Sequence, residues 1–165
     1  MPRGYAVTLN GTITNAGGDT DLFSGQAGDD LPITLMGWCL GQTSEVSDAA
    51  EENLRITCRY MPATWTVGSG GNAVTALAAP ADAGGGATWG ATVRTNDTTV
   101  GTTSGTARVY DDRGWNERNT PYDFFFPDDR WAPCARQATA LVLRQETTAA
   151  DDYTGCFTFW FSEGG

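Results

Sequence analysis

Apolar and polar residues alternate along much of this 165-residue chain, and a period of two marks strands with one buried face. The cleanest case runs from Leu54 to Tyr60. Leu54, Ile56, Cys58 and Tyr60 share one side, while Arg55, Thr57 and Arg59 take the other, wet one. The acidic stretch Asp48 to Glu52 reads as the turn feeding this central strand. No strand is stable alone, so its apolar face requires a second layer. Tyr5 to Thr14 predicts a first strand, with Tyr5, Val7, Leu9 and Ile13 inward and Gly11 marking a bulge. Leu22-Phe23 is a short apolar run closed by Gly25 to Asp30. Pro32 to Thr43 predicts a long strand in the sheet interior. Ile33, Leu35, Gly37 and Cys39 alternate with Met36, Trp38 and Leu40 there, so both faces are expected to be covered.

The pattern then changes. From Met61 to Gly105 the chain holds few large side chains beyond Trp65, Leu77 and Trp89, and is rich in Gly, Thr and Ala. A structureless loop of that length is uncommon in a compact domain, which points to a binding excursion carrying short strands near Ala73–Leu77 and Thr88–Arg94. Alternation returns at Thr106–Tyr110, followed by a turn through Asp111 to Gly114. Tyr122 to Phe126 predicts an aromatic strand stopped by Pro127. Pro127 to Pro133 predicts a rigid surface loop, because proline cannot donate to a ladder. Ala138–Gln145 and Tyr153–Ser162 predict two closing strands. About eight strands with connections of mixed length predict an all-β fold. The expected form is a single domain over residues 1–165: a two-sheet antiparallel β-sandwich of jelly-roll type with residues 61–105 inserted. The Cys and Trp spacing of an immunoglobulin-like sandwich is absent.

Composition narrows the function classes. The formal charge is -10 and every cation is Arg, scattered rather than clustered, which argues against nucleic acid or an acidic membrane as partner. His is absent, removing the usual general base and metal ligand. Cys39, Cys58, Cys134 and Cys156 lack C-x-x-C spacing, which argues against zinc or redox chemistry; Cys39, Cys58 and Cys156 lie in strand-like apolar runs, where buried free thiols are expected, with a disulfide as the alternative. Met1 to Tyr5 lacks a signal-peptide core, and no apolar run is long enough to span a bilayer, so a soluble product made in the cytosol is expected.

Few residues point to chemistry. Glu45, Glu51 and Glu52 can be drawn as a glycosidase acid/base pair, but such pairs can be drawn on any acidic chain. The doublets Asp29-Asp30, Asp111-Asp112, Asp128-Asp129 and Asp151-Asp152 read as solvated turn carboxylates, with calcium as the sharper alternative. No phosphate-binding, dinucleotide or nucleophile-elbow motif is present. No catalytic residue, cofactor or metal is therefore assigned. Trp65, Trp89, Trp115 and Trp131 lie in loop-like or Gly-flanked settings, unlike Trp38 and Trp160 in strands. Exposed aromatics mark interfaces, and the patch Asp128, Asp129, Arg130 and Trp131 is the best single candidate for partner contact.

Several segments together resemble bacteriophage capsid decoration or cement proteins. They are the Met-Pro-Arg-Gly-Tyr start, Leu40-Gly-Gln-Thr-Ser-Glu followed by Asp48-Ala-Ala-Glu-Glu, the Gly/Thr-rich middle, Gly114-Trp115-Asn116, Phe125-Phe126-Pro127-Asp128, and an aromatic strand ending in Glu163-Gly164-Gly165. The resemblance implies a non-enzymatic jelly-roll virion protein, dimeric or trimeric, on the capsid exterior. It would bind the major capsid protein and stabilise the shell without a cofactor. The expected contact surface is the middle excursion with the Pro127–Pro133 loop. The alternative is a carbohydrate- or receptor-binding β-sandwich module of a spike or fibre.

Overall fold

A computed structural model describes residues 3–14, 17–29, 31–43, 53–80, 90–116, 121–146 and 151–164. Among these the chain is all-β, without a helix, and its ladders are antiparallel. One sheet, sheet A, has the order β11 (Tyr122–Phe125), β3 (Ile33–Gln42), β14 (Tyr153–Glu163), β1 (Arg3–Ile13), β7 (Leu77–Ala78), and β12 (Cys134–Ala135) also pairs with β3. Sheet B has the order β10 (Arg108–Asn116), β4 (Asn53–Met61), β13 (Ala140–Gln145), β2 (Thr20–Gln26), β8 (Thr92–Asp97), β6 (Asn72–Ala73). A small third sheet joins β5 (Trp65–Thr66) to β9 (Thr102–Thr103).

The two large sheets share one hydrophobic cluster. Phe23 of β2 stacks on Phe161 of β14 at 4.5 Å between centroids and lies 4.9 Å from Phe159. Trp115 of β10 meets Tyr153 and Phe157 of β14 edge-on at 6.3 and 6.1 Å. Leu54, Ile56 and Cys58 point into this cluster as their alternation requires, while Tyr60 packs against it half-buried.

Bulges account for the places where alternation breaks. Along β14 the partners step from Gly37 to Leu35, leaving Met36 as the extra residue. The bulge lets Ile33 and Leu35 point inward on one side of it and Trp38 and Leu40 on the other. The expectation of a strand covered on both faces is thus corrected: β3 has one core face that changes parity. A second bulge between β2 and β13 puts the adjacent Leu22 and Phe23 both in the core. Gly11, read as a bulge, instead pairs with Gly155 in an unbroken register. The turn expected at Asp111–Gly114 is continuous strand in β10, because each charge there finds a partner: Arg113 Nε donates to Asp111 Oδ1 at 2.9 Å and Arg55 holds Asp112.

The excursion after Met61 folds back on the outer face of sheet B. Met61, Trp65, Ala140 and Val142 form a second small core there, with Ala107 against it. Beneath it lies a buried polar knot. Asp21 Oδ1 accepts from Arg144 Nε at 2.6 Å, Asp21 Oδ2 accepts from Gly101 N–H at 2.8 Å, and Arg144 Nη2 donates to the Gly101 carbonyl at 2.9 Å. Burial raises the Asp21 pKa, outweighing the pull of Arg144. Gly101 has to be Gly, since a Cβ there would meet Trp65 Cη2 at 2.1 Å.

Candidate interaction surfaces

The four tryptophans expected at the surface separate into distinct settings. Trp65 is 6% exposed and Trp115 is 4% exposed; each covers a core instead of presenting a ring to a partner. Loop-like sequence around them reflects short or edge strands, which is why Gly-flanked context misread their burial. Trp89 lies outside the described residues, as do Asp30, Glu45, Glu51 and Glu52. Trp131 is 69% exposed.

The Trp131 loop is held rigidly. Phe126 N–H donates to the Met36 carbonyl at 3.0 Å and Leu35 N–H to the Pro133 carbonyl at 3.1 Å, so both ends hang on β3 across its bulge. Within the loop, Trp131 N–H donates to the Asp128 carbonyl at 2.9 Å, and Asp128 Oδ1 accepts from Arg130 N–H at 2.8 Å. Arg130 Nη2 pairs with Asp128 Oδ2 at 2.9 Å, and this guanidinium holds the Asp128 carboxyl below its usual range. Asp129 is exposed beside it. Asp128, Asp129, Arg130 and Trp131 therefore form one tip, as the sequence led us to expect.

A second surface was missed. The register of sheet A places Leu77, Ala6, Trp160, Gly37 and Phe125 in one row across five strands, on the face turned away from the core. Leu77 is 71% and Phe125 56% exposed, and Trp160 is half-buried. Phe125 and Trp160 pack at 5.0 Å between centroids. Gly37 permits this: a Cβ would sit 2.4 Å from the Phe124 carbonyl oxygen and 2.5 Å from Phe125 Cδ1. Between Trp160, Ala6, Leu77 and Pro80 lies an apolar groove of about 380 Å³. The signal was in the sequence. Tyr153, Phe157, Phe159 and Phe161 occupy the inward parity of β14, so Trp160 must point outward.

The outer face of sheet B is the opposite in character. Arg55 binds Asp112 through Nη2 at 2.6 Å and Glu146 through Nη1 at 2.9 Å, Arg59 also pairs with Glu146, and Thr57 Oγ1 donates to Glu146 at 2.8 Å. Hydrogen bonding to Arg55 lowers the Asp112 pKa. Further along, Asp97 accepts from Arg94 and from Gly71 N–H, tying down the excursion. The face expected to be simply wet is thus a network of satisfied charges.

Four thiols are free: Cys58 is buried, Cys39 half-buried, Cys134 and Cys156 exposed. The expectation of burial therefore fails for Cys156, which occupies the outward parity of β14. Burial, then hydrogen bonding to Asp123, pushes the Cys39 thiol up to about 11. Among the described residues no group of three or more His, Cys, Asp or Glu side chains is arranged to hold a metal ion. A polar pocket of about 460 Å³ is lined by Gln26, Gly28, Asp29, Gly90, Thr92 and Gln137 among others, with Asp29 as its one carboxylate. No protein family, curated protein or solved structure matches the chain.

Proposed function

We propose that this chain is a non-enzymatic virion structural protein that decorates the outside of a phage capsid, binding the major capsid protein and stiffening the shell as a symmetric dimer or trimer. Its fold on this reading is a jelly-roll β-sandwich. The strand order supports that topology: setting aside the strands of the excursion (β5 to β9) and the two-residue β12, the remaining strands β1, β2, β3, β4, β10, β11, β13 and β14 numbered in chain order give sheet A as 6-3-8-1 and sheet B as 5-4-7-2. The excursion then falls between the fourth and fifth strands.

The observation that carries the reading is the Trp131 tip. An exposed Trp and Arg on a loop stiffened by two prolines, an Asp128-centred turn and two anchors on β3 have little entropy left to lose on docking. Cementing multiplies one such contact by the symmetry of the shell. The test is occupancy on empty shells of the major capsid protein of the same virus. Stoichiometric binding with a raised shell melting temperature is expected, and Trp131→Ala should weaken occupancy about tenfold or more. Shells left bare by the unaltered chain would end the reading.

A further inference from the structure

We infer that the outer face of sheet A is a binding site for a neutral polysaccharide, with Trp160 as its stacking platform. This goes beyond capsid decoration and uses none of the Trp131 loop.

Three features carry it. The first is the aromatic row itself: Trp160 has Ala6 on one neighbouring strand and Gly37 on the other. Small neighbours on both sides leave room around its half-buried indole, on which Phe125 packs from one end of the row while Leu77 stands at the other. The C–H faces of a pyranose ring pack on such a surface as other apolar groups do. The groove of about 380 Å³ beside Trp160 falls within the roughly 300–1,000 Å³ of small-molecule clefts.

Secondly, hydroxyl-bearing residues flank the row. Thr158 and Ser162 lie two positions either side of Trp160 on the same parity of β14, and Thr8 faces Thr158 from β1. Side chains of this kind both donate and accept, matching hydroxyls that do the same.

Charge selects the occupant. Among the described residues, Asp123 is the one charged side chain at an outward register position of sheet A. A chain carrying -10 repels acidic polymers. Among the described residues the face offers no cation to offset that repulsion and no acidic cluster to attract a basic partner. A neutral chain of hydroxyls meets no such opposition.

The test is affinity electrophoresis of the full chain through gels containing hydroxyethyl cellulose, amylopectin or galactomannan, with polygalacturonate as the charged comparator. Retardation by at least one neutral polymer and none by polygalacturonate is expected. Trp160→Ala should weaken it about tenfold or more. Because Trp160 also packs on Phe125, Leu77→Ser at the exposed end of the row is the second variant, expected to weaken retardation with folding intact. Trp131→Ala should retard like the unaltered chain, which separates this site from the capsid-binding tip. Free migration in all three neutral gels overturns the inference. So does equal retardation of Leu77→Ser and Trp160→Ala with the unaltered chain, or sedimentation showing a dimer that Leu77→Ser dissolves.

Discussion

Replacing Arg144 with Met tests the buried knot that fastens the excursion to sheet B. In the native chain Arg144 and Asp21 are both buried, bonded to each other and to the backbone of Gly101, whose N–H donates to Asp21 and whose carbonyl accepts from Arg144. Met conserves much of the volume but leaves an ionised Asp21 without its counter-ion. Breaking a buried pair from one side costs about 3–5 kcal/mol, because the remaining charge stays desolvated. For a chain of this size each kcal/mol lowers Tm by roughly 2–4 °C, so a drop on the order of 10 °C is expected. The cost also has a signed pH dependence. Burial already raises the folded-state pKa of Asp21, and Arg144 opposes that rise; without Arg144 it climbs further. A raised folded pKa gives stability that is complete below the unfolded pKa and is lost as pH rises through the folded one. The Arg144→Met penalty should therefore be small in acid and grow toward neutrality. Adding Asp21→Asn should recover most of it, since no buried charge then remains. Urea unfolding of the native chain and the two variants across pH measures this, with proteolysis in 98–105 as the local readout. A neutral-pH penalty under about 1 kcal/mol, or one that does not shrink in acid, refutes the reasoning.

Further outcomes follow from single contacts. Gly37→Ala drives a Cβ against the Phe124 carbonyl and the Phe125 ring, so it should cost about 1–3 kcal/mol and change the near-ultraviolet dichroism of the Phe125–Trp160 pair; unaltered stability would mean β11 shifts freely. Trp65→Ala removes the largest side chain of the second core and should cost about 3–5 kcal/mol, with faster protease cleavage around residues 62–105 as its signature. In native alkylation at neutral pH, Cys134 and Cys156 should react first, Cys39 slowly because its thiol is pushed up to about 11, and Cys58 only on unfolding. Mass spectrometry that finds Cys58 modified as fast as Cys156 would contradict its burial.

The strands were legible wherever one parity is uniformly apolar. β1 and β4 follow from alternation within a residue or two at each end, as does β14. Legibility failed where a bulge changes parity, as at Met36 and Leu22, because a two-residue period cannot represent an extra residue. It failed again at Asp111–Gly114, where turn-forming residues sit in a strand. There Tyr122, eleven residues along the chain, donates to Asp111 at 2.6 Å and Arg113 lies over the Phe124 ring at 4.8 Å, so β11 supplies partners that the turn signals of the segment itself do not show. The candidate site divides in the same way. The Trp131 tip is a local feature of prolines and an Asx turn, and sequence found it. The Leu77–Phe125 row joins five strands distant in sequence, and only register assembles it.

The asymmetry of the two outer faces gives the molecule an orientation. Sheet B spends its outward positions on Arg–carboxylate pairs and then covers part of them with the excursion, so the charges there are matched internally and the apolar residues Met61, Trp65 and Val142 are hidden. Among the described residues sheet A has neither device: its outward residues are largely uncharged and its apolar row is left open. Edge and face protection by charge is the usual means of preventing unwanted association, and it has been applied to one side alone. Docking on sheet A would leave the ion pairs of sheet B undisturbed and rest on apolar and hydroxyl contacts without desolvating a charged network, which is the chemistry the polysaccharide reading requires.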